Sequence, residues 1–188
     1  MQRIKHCHTR SYHDFLAVKS PFAWGNNDCC LYAADGIKAQ TGIDIADDFR
    51  GKYTDKVSAF RLIHSVTGGT TVADAAAYCA NKHGLKELAY PKMAQRGDLV
   101  VFHNADGELV AGVVHLNGRH LVTVGEHGPV SVSISNVVRA WSVSGEHGHH
   151  AAFDKDAKPM SAADKIAAHQ QVITNIKAHK EARSKSIE

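Results

Sequence analysis

The chain has 188 residues, 44% of them hydrophobic and 22% charged, and its net charge is +3 with His neutral. This composition fits a soluble globular protein. The length allows one core with an appendage and is too short for two ordinary domains. The small charge, with no basic cluster in residues 1–150, argues against nucleic-acid binding. No stretch approaches 18 apolar residues, so we expect no membrane span, and the N-terminus lacks the apolar run of a signal peptide.

Four helices are predicted in the first part of the chain. The first ends before Pro21, because the residue before a proline is pushed out of the helical region. Asp28 is a good N-cap for the second helix, and Gly42 lies just past its end, where a left-handed residue is favoured. The predicted helices cover residues 11–19, Cys29–Gln40, Asp55–Val66 and Thr71–Lys82.

After Pro91 the pattern changes to short runs rich in β-branched residues, separated by Gly, Asn and Asp turns. Helices followed by an antiparallel meander predict an α+β fold. The predicted strands cover residues 99–102, 109–116, 120–124, 130–134 and 138–143.

The C-terminal part has a different composition. Residues 145–158 are polar and rich in His and Asp, which predicts a linker. Residues 159–188 predict an amphipathic helix that Ser161 caps and that carries Ile166, Ile173 and Ile176 on one stripe. This stripe either folds back on the domain or docks on a partner protein.

The four cysteines are Cys7, Cys29, Cys30 and Cys79. Their spacing gives no disulfide framework, which favours a reducing compartment. Two clusters that contain His, at 6–8 and 147–150, each supply too few ligands for a zinc site, so we expect no metal and no cofactor.

Cys29 is the most informative of these cysteines. A thiol in the first turn of a helix faces unpaired N–H groups and the positive end of the helix dipole, which favour the nucleophilic thiolate. Such a thiol still needs a base, usually a His held by a third polar group. Taken alone, a Cys after an N-cap Asp is also consistent with a buried structural residue.

The surroundings of Cys29 form an ordered series of short motifs. An aromatic-Gly-x-x-Asp-Cys turn opens a helix, two helices follow, and Arg96-Gly97-Asp98 then opens the β-meander. In this order the chain resembles the NlpC-type cell-wall cysteine peptidases, a circularly permuted papain-like superfamily, and more narrowly a branch found in tail modules of tailed bacteriophages. The shared motifs are Trp24-Gly25, Asp28-Cys29, Ala33-Ala34-Asp35, Thr41-Gly42, Gly51-Lys52-Tyr53, Arg96-Gly97-Asp98, Gly112-Val113, Gly125 with Gly128, and Ala140-Trp141.

The resemblance implies a papain-like NlpC-type domain at residues 10–144, after an N-terminal extension at 1–9. It also implies hydrolysis of a peptide bond in peptidoglycan, with Cys29 attacking the carbonyl. In the peptidases, the general-base His stands directly before a hydrophobic-Gly-hydrophobic step. Here that step is 111–113 and Val110 occupies the place of the base, while the third polar residue would fall near Val122 or Thr123.

Another His would therefore have to act as the base. The strand order places His127 and His103 at the same end of the sheet as the start of the Cys29 helix. His127, on a loop between two glycines, is the preferred substitute and His103 the second. For each of them, a solvated loop His is the alternative interpretation.

Two functions follow from these observations. The first is a bacteriophage tail-tip or tail-assembly protein, made in the host cytoplasm and located in the virion tail. Its papain-like domain would have a structural or docking role, and its C-terminal helix would bind other tail proteins. The second is an active cysteine peptidase or amidase that cleaves peptidoglycan during infection, with Cys29 and a relocated His.

Overall fold

A computed structural model of the chain describes residues 1–144. These residues belong to one compact unit that contains four α-helices and a six-stranded antiparallel sheet. The predicted α+β arrangement is thereby confirmed. The linker predicted at 145–158 and the helix predicted at 159–188 lie outside the described residues.

The three longer helices each begin at a side chain that accepts hydrogen bonds from the backbone of the first turn. Asp28 caps the second helix, whereas Asp55 and Thr71 form reciprocal capping boxes at the third and fourth. Left-handed Gly42 and Gly68 end two of these helices. The helices are α1 (Ser11–Ala17), α2 (Cys29–Thr41), α3 (Lys56–Thr67) and α4 (Val72–Lys82).

The sheet has the order β1-β6-β2-β3-β4-β5, so the last strand lies inside the sheet beside the second. Five of the strands match predicted runs to within about two residues. The two-residue β1 was not predicted, because it is exposed and too short to show a periodic pattern. The strands are β1 (Lys86–Glu87), β2 (Leu99–His103), β3 (Leu109–Val114), β4 (His120–Gly125), β5 (Gly128–Ser133) and β6 (Val137–Ser142).

The sheet is apolar on both faces in its centre, which explains why β2 reads as a continuous hydrophobic run. Leu99 and Val101 belong to the main core with the helices, whereas Val100 and Phe102 belong to a smaller cluster. Helix α2 packs closely on β3, because a Cβ added at Gly36 would meet Val113 at 3.0 Å. This contact brings the start of α2 toward β3.

The N-terminal residues are tied to the domain by polar contacts. The Arg3 guanidinium donates hydrogen bonds to the Gln40 side chain, at 3.1 Å, and to the buried carboxylate of Asp98, at 3.2 Å. The Gln40 side chain in turn donates to the carbonyl of Gly97 at 2.8 Å. The Arg96-Gly97-Asp98 motif is therefore a junction between the N-terminus, the end of α2 and the start of β2.

Candidate functional site

The carboxylate of Asp28 organises the turn that precedes Cys29. Its Oδ1 accepts from the backbone N–H groups of Cys30 and Leu31 at 3.1 and 3.2 Å, as predicted for an N-cap. Its Oδ2 accepts from the N–H of Gly25 at 3.0 Å and from the hydroxyl of Tyr53 at 2.6 Å. The side chain is only 2% exposed, so these four donors hold a buried charge.

Tyr53 fixes the same turn through its backbone. Gly25 has a φ of 70°, and a Cβ placed there would overlap the carbonyl oxygen of Tyr53. The Trp24-Gly25 and Gly51-Lys52-Tyr53 motifs are therefore in direct contact, although 28 positions separate Gly25 from Tyr53 in the chain. Tyr53 was not predicted as a site residue, because a long-range hydrogen bond leaves no local pattern in the sequence.

Cys29 opens onto a cavity of about 440 Å³, a volume in the range of ligand pockets. The walls come from α2, α3, α4, strand β3 and the segment that carries Phe22 and Trp24. Cys30 and Cys79 also line the cavity. Cys79 is 7% exposed and belongs to the main core, and Cys30 packs against the same core. Three of the four cysteines therefore lie around one space.

The thiol of Cys29 is set up to ionise more readily than an ordinary cysteine. A hydrogen bond with the Cys30 thiol is the main cause that lowers the pKa of Cys29, and backbone hydrogen bonds with Ala111 and Cys30 act in the same direction. Burial and the Asp28 charge oppose this shift. The same hydrogen bond, together with burial, raises the pKa of Cys30. Of the two thiols, Cys29 is therefore the one that loses its proton more readily.

Val110 occupies the position where the resemblance predicts the general base, and its side chain cannot accept a proton. Val110 and Ala111 line the cavity, and a backbone hydrogen bond with Ala111 is among the causes that lower the pKa of Cys29. Thr123, one of the two positions expected near the third polar residue, is buried and donates its hydroxyl to the Ala111 carbonyl at 2.7 Å. Within residues 1–144, no imidazole lines the cavity.

The two candidate substitute bases lie on the hairpins near this end of the sheet. His103 ends β2, is exposed and has its Nδ1 2.9 Å from the Gly107 carbonyl oxygen. His127 lies in the exposed turn between Gly125 and Gly128. The carbonyl of Gly125 accepts from the N–H of Phe22 at 3.1 Å, which places this turn beside the segment leading to Cys29. Their roles as bases stay predictions.

Residues 1–144 contain neither a metal-binding group of side chains nor a helix that could cross a membrane. In that part of the chain, no group of three or more His, Cys, Asp or Glu side chains is arranged to hold a metal ion. None of its helices combines the length and the apolar character needed to cross a bilayer.

The profile of a family described as a domain of unknown function, DUF6950, matches residues 5–143, which is more than half of the chain. The chain belongs to the DUF6950 family. The matched region begins beside buried Cys7 and ends at Val143, so it includes the whole α+β unit and the Cys29 cavity. A comparison with curated proteins finds no match.

Proposed function

We propose that the chain is a bacteriophage tail-tip or tail-assembly protein whose DUF6950 region is a papain-like, NlpC-type domain with a structural or docking role. The order of its elements supports this proposal. A helix that starts at a cysteine packs on the first long hairpin of an antiparallel sheet, and the Arg96-Gly97-Asp98 turn opens that sheet. These are the features on which the resemblance to NlpC-type domains rests.

The observation that carries the docking role is the composition of the cavity at Cys29. Val110 stands at the position of the base, and among residues 1–144 no imidazole faces the cavity. A thiolate without an acid to protonate the leaving group loses much of the advantage of nucleophilic catalysis. The cavity itself, however, has a volume in the range of ligand pockets. These features suit a domain that binds more than one that hydrolyses.

Complementation of a phage that lacks this gene tests the docking role. We expect Cys29→Ala to restore infectious particles, while a chain that lacks residues 159–188 is expected to stay out of purified tails. Incorporation of the truncated chain at the level of the full chain would contradict docking through the C-terminal segment. Loss of infectivity in Cys29→Ala, with normal incorporation, would favour the enzymatic alternative.

The second candidate function is a cysteine peptidase or amidase that cleaves peptidoglycan with Cys29 and either His127 or His103. The lowered pKa of Cys29 and its position at the cavity favour this candidate. Purified protein would be incubated with peptidoglycan, and released fragments would be measured by mass spectrometry. Activity that disappears in Cys29→Ala and in one of the two His→Ala variants would establish it. Full activity in Cys29→Ala would exclude it.

A further inference from the structure

The walls of the Cys29 cavity are built mostly from apolar side chains, and many of these walls are deep in the domain. At the outer end, Trp24 is 36% exposed, and Lys56 and Glu108 are also exposed. At the inner end, Ile63 and Cys79 are 5% and 7% exposed. The cavity therefore leads from a polar rim at the surface into the space between the helices.

Alanines create much of this space. Helices α2, α3 and α4 all present alanines to the cavity, where larger side chains would fill it. Wall atoms that border a space of this size have fewer dispersion contacts within the protein than atoms of a close-packed core have. An apolar occupant would restore those contacts. The alanines concerned are Ala33 and Ala34 on α2, Ala59 on α3, and Ala75 and Ala76 on α4, with Ala46 in the segment between α2 and α3.

The ionisable carboxylates and the amine at the cavity already have partners. The Asp28 carboxylate is held by backbone amides and by the Tyr53 hydroxyl. At the rim, the Lys56 ammonium pairs with the Glu108 carboxylate at 3.1 Å. In the described part of the chain, the cavity thus offers no unpaired carboxylate or ammonium group to a charged peptide or sugar. Its chemistry selects an uncharged hydrocarbon group.

We propose that this cavity binds one linear acyl chain, with the hydrocarbon between α2, α3 and α4 and the polar end at the Lys56–Glu108 rim beside Cys29. This inference goes beyond the docking role and does not depend on the chain being a tail protein. We favour a linear chain over an apolar side chain of a partner protein, because the lining residues range from the exposed rim to buried Ile63 and Cys79. Each methylene that enters the cavity should improve affinity about fourfold.

Fluorescence titration of the full chain with cis-parinaric acid, a polyene fatty acid, tests this directly. We expect saturable binding of one molecule per chain, with decanoic acid as a competitor weaker than hexadecanoic acid. The bound acid should also slow alkylation of Cys29 by iodoacetamide, read by mass spectrometry. Phosphatidylcholine vesicles serve as a second competitor, and they test whether the protein also takes up the acyl chain of a bilayer lipid. Competition by the free acid or by the vesicles supports the proposal.

Variants that fill the cavity provide the specificity control. Ala75→Leu places three additional carbons in the cavity, where they displace about three chain carbons, so we expect binding about 50-fold weaker. Ala59→Leu is a second variant of the same kind on another helix. Ala17→Leu, at the exposed end of α1 and away from the cavity, should bind as the unaltered protein does.

Absence of saturable binding to the unaltered protein would overturn the proposal. Equal binding by Ala75→Leu and Ala17→Leu, with native circular dichroism spectra for both, would do the same. Neither result concerns tail incorporation, which is measured separately. The acyl-chain site and the tail role can therefore fail independently.

Discussion

Replacement of Asp28 by Ala should destabilise the domain far more than loss of an ordinary helix cap. The two cap bonds to Cys30 and Leu31 contribute about 1 kcal/mol, as N-caps usually do. The bonds from the Gly25 amide and the Tyr53 hydroxyl add about 1.5 kcal/mol each, because the acceptor is charged and buried. Replacement by Ala also removes the cost of keeping the carboxylate out of water, which offsets part of the loss of stability and keeps each contribution at the low end of its range. The expected loss is about 4 kcal/mol.

Asp55→Ala is the matched control. Asp55 also caps a helix, through the N–H of Ser58 at 2.9 Å, but it is exposed and lacks the two long-range donors. Its loss should cost about 1 kcal/mol. In urea unfolding followed by circular dichroism, a difference of about 3 kcal/mol corresponds to midpoints about 1.5 M apart. Midpoints that coincide would refute the view that Asp28 stabilises more than its own helix.

Three further predictions concern the backbone, the thiol pair and alkaline pH. Gly25→Ala should lower the melting temperature more than Gly51→Ala does. The two glycines have φ angles of 70° and 73°, but only Gly25 lies against a carbonyl oxygen. Equal losses in melting temperature would contradict this contact. Cys30→Ala should raise the pKa of Cys29 because it removes the thiol hydrogen bond, so iodoacetamide should alkylate Cys29 more slowly at pH 7; an unchanged rate-against-pH curve would count against this. Burial raises the pKa of Cys79 from 9.0 to about 12, so on a rise in pH the unfolded chain releases this proton before the folded chain does. The free energy of unfolding should therefore fall as pH rises from 9 to 12, by up to about 1.4 kcal/mol per pH unit. Urea unfolding at each pH measures this slope, and Cys79→Ala should flatten it.

The sequence was sufficient for the elements with strong local signals. Asp28 and Gly42 mark the two ends of α2 because capping chemistry depends on residues adjacent in the chain. Leu99 to Phe102 was predicted as a strand from its apolar run. The two exposed residues of β1 have no such pattern, because their pairing with β6 depends on tertiary position alone.

The candidate site was only partly predictable for the same reason. Cys29 and Val110 could be assigned because each belongs to a short motif. The hydrogen bond from Tyr53 to Asp28 and the presence of Cys79 at the cavity join residues 25 or more positions apart. Such contacts depend on how α2, α3 and α4 pack, which hydrophobic periodicity alone does not determine.

The position of β6 within the sheet affects when the domain can form. Residues 137–142 form the last strand, in chain order, of the sheet that residues 1–144 build, yet they pair with both β1 and β2. The N–H of Val143 then donates to the buried carboxylate of Asp98 at 3.2 Å. Until this segment emerges, the edge of β2 that pairs with β6 is open and Asp98 lacks the hydrogen bond from the N–H of Val143. We therefore expect nascent chains that stop before residue 137 to remain sensitive to protease, and the domain to fold only after β6 has left the ribosome.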